Sequence, residues 1–336
     1  MGNVKSKRNT TLDLFKLIAS FMVVFIHVGM YGKADFVADG LARFAVPLFF
    51  ISAGFFAYGN DVSKLIKKTI SVLRLFAFSV VLYYAYGVII KLASGGIKAA
   101  LGFLAGAVKF KNIVKFLVFN ETYSSLLLWF LAALIYVYIV QIIVCKLKIG
   151  ERVIFPFCIV GVALTVLLGE GMNLVGVTLP GFLTRNFLLP GYAFFGMGML
   201  ARKNEAKLAS VRTPVAVASI VVGAALGVAS ACLFFKAPCY FGSLFMLFGI
   251  LVISMKYPVF KHSEKLGVLL ASSKYIYVFH VILAAVYSRL ALLAGANASS
   301  PLYVNTRPFA VIVIATLVSM LAIVIENALK SRKKKI

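Results

Sequence analysis

The chain has 336 residues, 62% of them hydrophobic and only 13% charged. A soluble domain is roughly 45–50% apolar and 25% charged, so a single water-surrounded core is excluded and the bilayer must act as solvent. The net charge of +25, from 35 Lys and Arg against 10 Asp and Glu, then marks cytoplasmic loops, and no nucleic-acid partner is expected.

A membrane span needs about 20 apolar residues. Runs of that kind predict ten transmembrane helices, at about 11–31, 41–59, 69–90, 124–144, 151–169, 181–201, 213–235, 241–256, 267–290 and 308–329. The polar stretch MGNVKSKRNT precedes the first, which is too long for a signal-peptide core and reads as a retained span. MGNVKS also fits an N-myristoylation pattern. Between the third and fourth spans, residues 92–118 set lysines every few positions among apolar residues. That pattern suits an amphipathic helix in the membrane interface better than a span. With the N-terminus inside, most Lys and Arg fall in residues 1–10, in the loops near 64–74, 146–152, 202–212 and 256–265, and in the basic tail 330–336. The expectation is an all-α, polytopic helical bundle forming one transmembrane domain over 1–336, with both termini cytoplasmic. Cys145, Cys158, Cys232 and Cys239 lack ligand spacing, so no metal site is expected.

Ionisable groups inside spans are costly and mark function by default. The first span, LDLFKLIASFMVVFIHV, carries Asp13, Lys16 and His27. On a helix Lys16 and His27 lie about 20° off eclipsed and some 16 Å apart, and Asp13 about 40° from that line. The three share a stripe, expected to face inward as a wet track from the cytosol. The second span, ARFAVPLFFISAGFF, has Arg43 at its outer end, an interior Pro47, and Ser52, Ala53 and Gly54. Pro47 frees a carbonyl; the small residues admit a neighbouring helix or ligand. Trp129 begins the LWFLAALIY stretch of the fourth span, and Arg185 lies near the outer end of the sixth, before Pro190–Gly191. Tyr277 and His280 sit in the ninth, SSKYIYVFHVILAAVYSRL. Each has a blander reading: Lys16 as a snorkelling flank, Arg43 and Arg185 as headgroup anchors, His27 and His280 as hydrogen-bonded core groups, Ser52 as packing, Trp129 as an interfacial belt residue.

Taken together, D-L-F-K with a histidine eleven residues beyond the lysine, then RFAVPLFFISAGFF, LWFL, TRNFLLPGYAFFGMGML and YIYVFHV, resemble the ordered motifs of the membrane acyltransferase-3 family over residues 11–290. Two positions depart from its pattern: Lys16 replaces the commoner arginine, losing the guanidinium fork, and Ala53 separates Ser52 from Gly54. The resemblance implies an integral-membrane O-acyltransferase of the bacterial cytoplasmic membrane. It would move acetyl from cytosolic acetyl-CoA, used as substrate with no bound cofactor, to a hydroxyl of an extracytoplasmic glycan or lipid-linked sugar. A separate extracytoplasmic transfer protein is a possible partner. His27, Arg43 and His280 are then the expected catalytic residues, with His27 as general base or transient acyl acceptor. Asp13, Lys16 and Ser52 are expected on the donor side. Arg185, Tyr277 and Trp129 are expected to position the acceptor or the oxyanion.

Two other classes remain open from the residues alone. Intramembrane charges with Pro/Gly-interrupted helices also suit a transporter of a polysaccharide, lipid-linked sugar or small amino acid. A membrane half of a larger enzyme, as in membrane-bound serine racemases, would need a soluble partner.

Overall fold

The computed structural model describes residues 9–234 and 236–333. The MGNVKS pattern and the last three residues of the basic tail lie outside them. The helices are α1 (Thr10–Val28), α2 (Lys33–Ala42), α3 (Ala45–Phe55), α4 (Val62–Ala107), α5 (Phe110–Phe119), α6 (Trp129–Lys146), α7 (Glu151–Val166), α8 (Met172–Leu174), α9 (Gly181–Thr184), α10 (Ala193–Lys203), α11 (Glu205–Ser210), α12 (Thr213–Phe234), α13 (Phe241–Lys256), α14 (Glu264–Ala271), α15 (Ser273–Leu293) and α16 (Pro301–Lys333). No strand occurs among the described residues. Eight segments there are long and apolar enough to cross a membrane: Thr10–Val28, Lys33–Phe55, Val62–Ala107, Leu126–Lys146, Glu151–Leu174, Thr213–Leu233, Ser273–Leu293 and Pro301–Ser331. The protein is an all-helical, multi-pass membrane protein.

Several expected spans take a different form. The expected span 241–256 is a helix of only 16 residues. The expected span 181–201 is interrupted: Asn186 Oδ1 accepts the N–H groups of Leu188 and Leu189, starting a new turn. Pro190 cannot donate to the ladder, and a π-helical turn over Phe187–Tyr192 precedes α10. The second span starts at Lys33, eight residues before expected, because α2 runs almost directly into α3. Arg43 is therefore mid-segment, about 15 Å along the helix from Lys33, and not at an outer end.

The chain forms two compact units, one of residues up to Phe49 with Asn204 onward, the other Phe50–Lys203. In the first, α1 packs on α2, α14, α15 and α16, and α12 on α2 and α13. Leu17, Val24, Val28, Leu270, Ile276, Val311 and Ala315 form its core. The start of α1 is fixed by Asn9, whose side chain accepts from Leu12 N at 2.8 Å and donates to Ser254 O at 2.8 Å. An asparagine cap satisfies an end donor that no helical carbonyl can reach. A Cβ on Gly40 would lie 2.6 Å from Gly227 O, so α2 and α12 touch backbone to backbone.

In the second unit the α3 residues after Phe49 cross α10 as closely: a Cβ on Gly54 would lie 1.8 Å from Phe195 O, and one on Gly198 1.9 Å from Ile51 O. In lipid, helix association relies on such close packing because no hydrophobic drive separates one apolar surface from another. Helix α4 breaks at Gly95–Gly96, where Gly96 has φ +65°. Beyond the break the chain doubles back. Phe103 packs on Tyr84 at 5.7 Å between ring centroids, and Phe116 stacks on Phe76 at 5.8 Å. The segment expected to lie in the membrane interface, residues 92–118, thus folds back along the first part of α4, with Phe103 and Phe116 against Tyr84 and Phe76.

Candidate active site

Three polar groups form in the first unit. At the N-terminal end of α1, Lys16 Nζ pairs with Asp13 Oδ1 at 2.7 Å, the side chains 23% and 12% exposed. The pair is the i, i+3 contact that helical spacing dictates. The stripe joining it to His27 passes Ser20 and Val23, which are 0% and 1% exposed. The middle of the stripe is therefore dry, and the expected continuous wet track along α1 is not formed. Its polar groups stand at two ends of a sealed stretch.

At the other end His27, exposed in the last turn of α1, meets His280 of α15, with ring centroids 5.3 Å apart and planes at 46°. His280 is fully buried. Its Nδ1 lies 3.0 Å from Ile276 O and 2.8 Å from Tyr277 O. Carbonyls only accept, so Nδ1 carries the proton, and in a neutral ring Nε2 is left as an acceptor. That Nε2 is buried with no hydrogen-bond partner among the described residues. A buried group in this state is costly and persists where function or a ligand uses it. Tyr277, 5% exposed, places its ring 6.2 Å from His280. Further along α15, Lys274 Nζ pairs with Glu326 at 2.7 Å.

The third group surrounds Arg43. Its Nε donates to Asp39 Oδ1 at 2.9 Å and its second guanidinium nitrogen bonds the same oxygen. Tyr240 Oη donates to Asp39 Oδ2 at 2.7 Å. Asp39 is 2% and Tyr240 0% exposed. Neither partner was singled out from sequence. The i, i+4 spacing in DGLAR was the available signal for Asp39; Tyr240 lies 201 residues further on and carried none.

The remaining candidates belong to the second unit. Ser52 is buried beside the Gly54 crossing. Trp129 opens α6, its carbonyl accepting from Asn120 Nδ2 at 3.3 Å and its ring 6.4 Å from Phe50. Arg185 is exposed at the break before the π turn. Among the described residues no three His, Cys, Asp or Glu side chains gather as metal ligands would.

The chain was compared with known proteins. Searches of curated proteins and of solved structures return no match. A family model described as an acyltransferase domain matches residues 9–325, which covers all three polar groups of the first unit and places the chain among acyl-transfer proteins. This multi-pass membrane protein belongs to the membrane acyltransferase-3 family.

Proposed function

We propose that the enzyme transfers acetyl from acetyl-CoA to a hydroxyl of an extracytoplasmic or lipid-linked carbohydrate, with His27 as general base. The apposition of His27 and His280 carries this reading. The exposed imidazole of His27 lies where an acceptor can reach it. Beside it stands His280, whose Nε2 is left to accept a hydrogen bond. At 5.3 Å between centroids, and with His280 pinned through Nδ1, a rotation of the His27 ring would bring nitrogen to nitrogen.

In the proposed step His27 takes the proton of the acceptor hydroxyl while its oxygen attacks the thioester carbonyl. The C–O bond forms, the C–S bond breaks, and the CoA sulfur leaves with the proton returned by the imidazolium. His280 Nε2 accepts from the second N–H of that imidazolium and stabilises it, the base-plus-orienter arrangement of general-base catalysis. Arg43 supplies positive charge for the oxyanion that develops on the thioester oxygen, and Tyr277 holds the face of His280. Lys16, oriented by Asp13, meets the donor phosphates.

The deciding experiment uses purified protein in liposomes with acetyl-CoA inside and a surface glycan outside, reading thiol release and glycan acetylation. Wild type releases CoA only with acceptor present. Normal turnover by His27→Ala overturns the mechanism; accumulation of glycan without any acyl donor would restore the transport reading.

A further inference from the structure

We infer that Asp39 and Tyr240 are positioning residues for Arg43, a buried relay in which Tyr240 fixes the carboxylate and the carboxylate fixes the guanidinium used in acyl transfer. The inference rests on the role given to Arg43 above. Its basis is geometric. Asp39 uses one oxygen for Arg43 and the other for Tyr240. Tyr240 Oη also accepts from Ala237 N–H at 3.1 Å. The phenol is thereby held from two sides, the carboxylate from two sides, and the guanidinium through two nitrogens on one oxygen. Tyr240 sits between α12 and α13, in a small core of Ala231, Ala237 and Phe36. Burial first, and the Asp39 charge second, push its pKa well above the ordinary phenol value, so it stays a donor to Asp39 at any physiological pH.

The arrangement does two things for a catalytic arginine. It removes the rotational freedom of a long side chain that otherwise carries large rotamer entropy, so the donors face the reacting oxygen without reorganising. It also balances the charge of a guanidinium in a membrane segment, where an unpaired cation is costly. A pair serving structure alone would be as well met by Asp39 and Arg43 without a third, fully buried hydroxyl aimed at the far oxygen.

A double-mutant cycle on the full-length protein in liposomes tests the relay, because coupling between residues of one network appears as non-additivity. Tyr240→Phe is expected to lower kcat about tenfold, the loss of one hydrogen bond to a charged group, with the KM for acetyl-CoA within about twofold of wild type. In an Arg43→Lys background, where the fork is already lost, the same change should cost no more than about twofold. An equal tenfold loss in both backgrounds overturns the relay and leaves Arg43 its role. Full activity of Arg43→Lys overturns that role as well. Should Tyr240→Phe fail to fold, Asp39→Glu carries the test: it keeps the charge but displaces the fork. It is expected to lower kcat with the KM for acetyl-CoA within about twofold of wild type; unchanged kcat overturns the inference.

Discussion

At the scale of single residues the proposed function rests on a protonation state that backbone contacts impose. His280 cannot choose its tautomer, since both neighbours of Nδ1 are carbonyls. Asparagine in its place keeps a short donor near Ile276 O but presents nothing where Nε2 stood. His280→Asn is therefore expected to fold normally and to lose about 10²- to 10⁴-fold in kcat, the range of general acid–base assistance; an active variant would make the residue purely structural. His27→Ala should lose at least as much, read as thiol release in liposomes with the size-exclusion profile unchanged. His27, Lys16 and Asp13 were legible from sequence because helical spacing alone aligns them. That His27 meets His280 was not, because the two imidazoles come from helices at opposite ends of the chain.

Elements pack here by close approach more than by side-chain volume. Gly198 faces Ile51 O at a distance where no Cβ fits, and backbone on both sides leaves nothing flexible to yield. Gly198→Ala is expected to cost at least about 3 kcal/mol, the upper range for overpacking, seen as a large fall in the detergent unfolding midpoint. Gly96→Ala is a contrasting case. Nothing lies within 4 Å of its Cβ and only φ +65° opposes it, so about 1–2 kcal/mol is expected from left-handed strain alone. The sequence announced small residues at Ser52–Gly54 as room for a helix or a ligand; Gly54 proves to face backbone, and so does Gly198, to which the sequence reading gave no role. It did not reveal the fold-back after Gly96, since a lysine-studded amphipathic pattern looks the same against an interface or against another helix. The starts of α2 and the break before α10 escaped for a similar reason: hydropathy windows average over caps and turns that single side chains decide.

For the molecule as a whole, the distribution of Lys and Arg predicts a cytoplasmic N-terminus and C-terminus. A cysteine placed in the tail after Lys330 should react with a membrane-impermeant maleimide only after the membrane is opened, and labelling of intact cells would reverse the topology. That predicted orientation would put the Asp13–Lys16 end of α1 on the cytosolic side, where the proposed donor is found. Lys16→Ala is then expected to raise the KM for acetyl-CoA several-fold while kcat changes little, because a surface-near charge contributes mainly to binding. Equal loss in both parameters would place Lys16 in the chemistry itself.

By itself the sequence determined the solvent, the secondary structure class and the family, because apolar excess, helix-length runs and ordered motifs are properties of local composition and spacing. It also determined which groups are too costly to sit in lipid without a purpose. Only the tertiary structure decided their partners: Asp39 and Tyr240 for Arg43, His280 for His27, and a sealed face where a hydrated track was expected. Partnership between distant segments depends on how helices cross, and crossing is set by backbone contacts at a few glycines that no periodicity in the chain encodes.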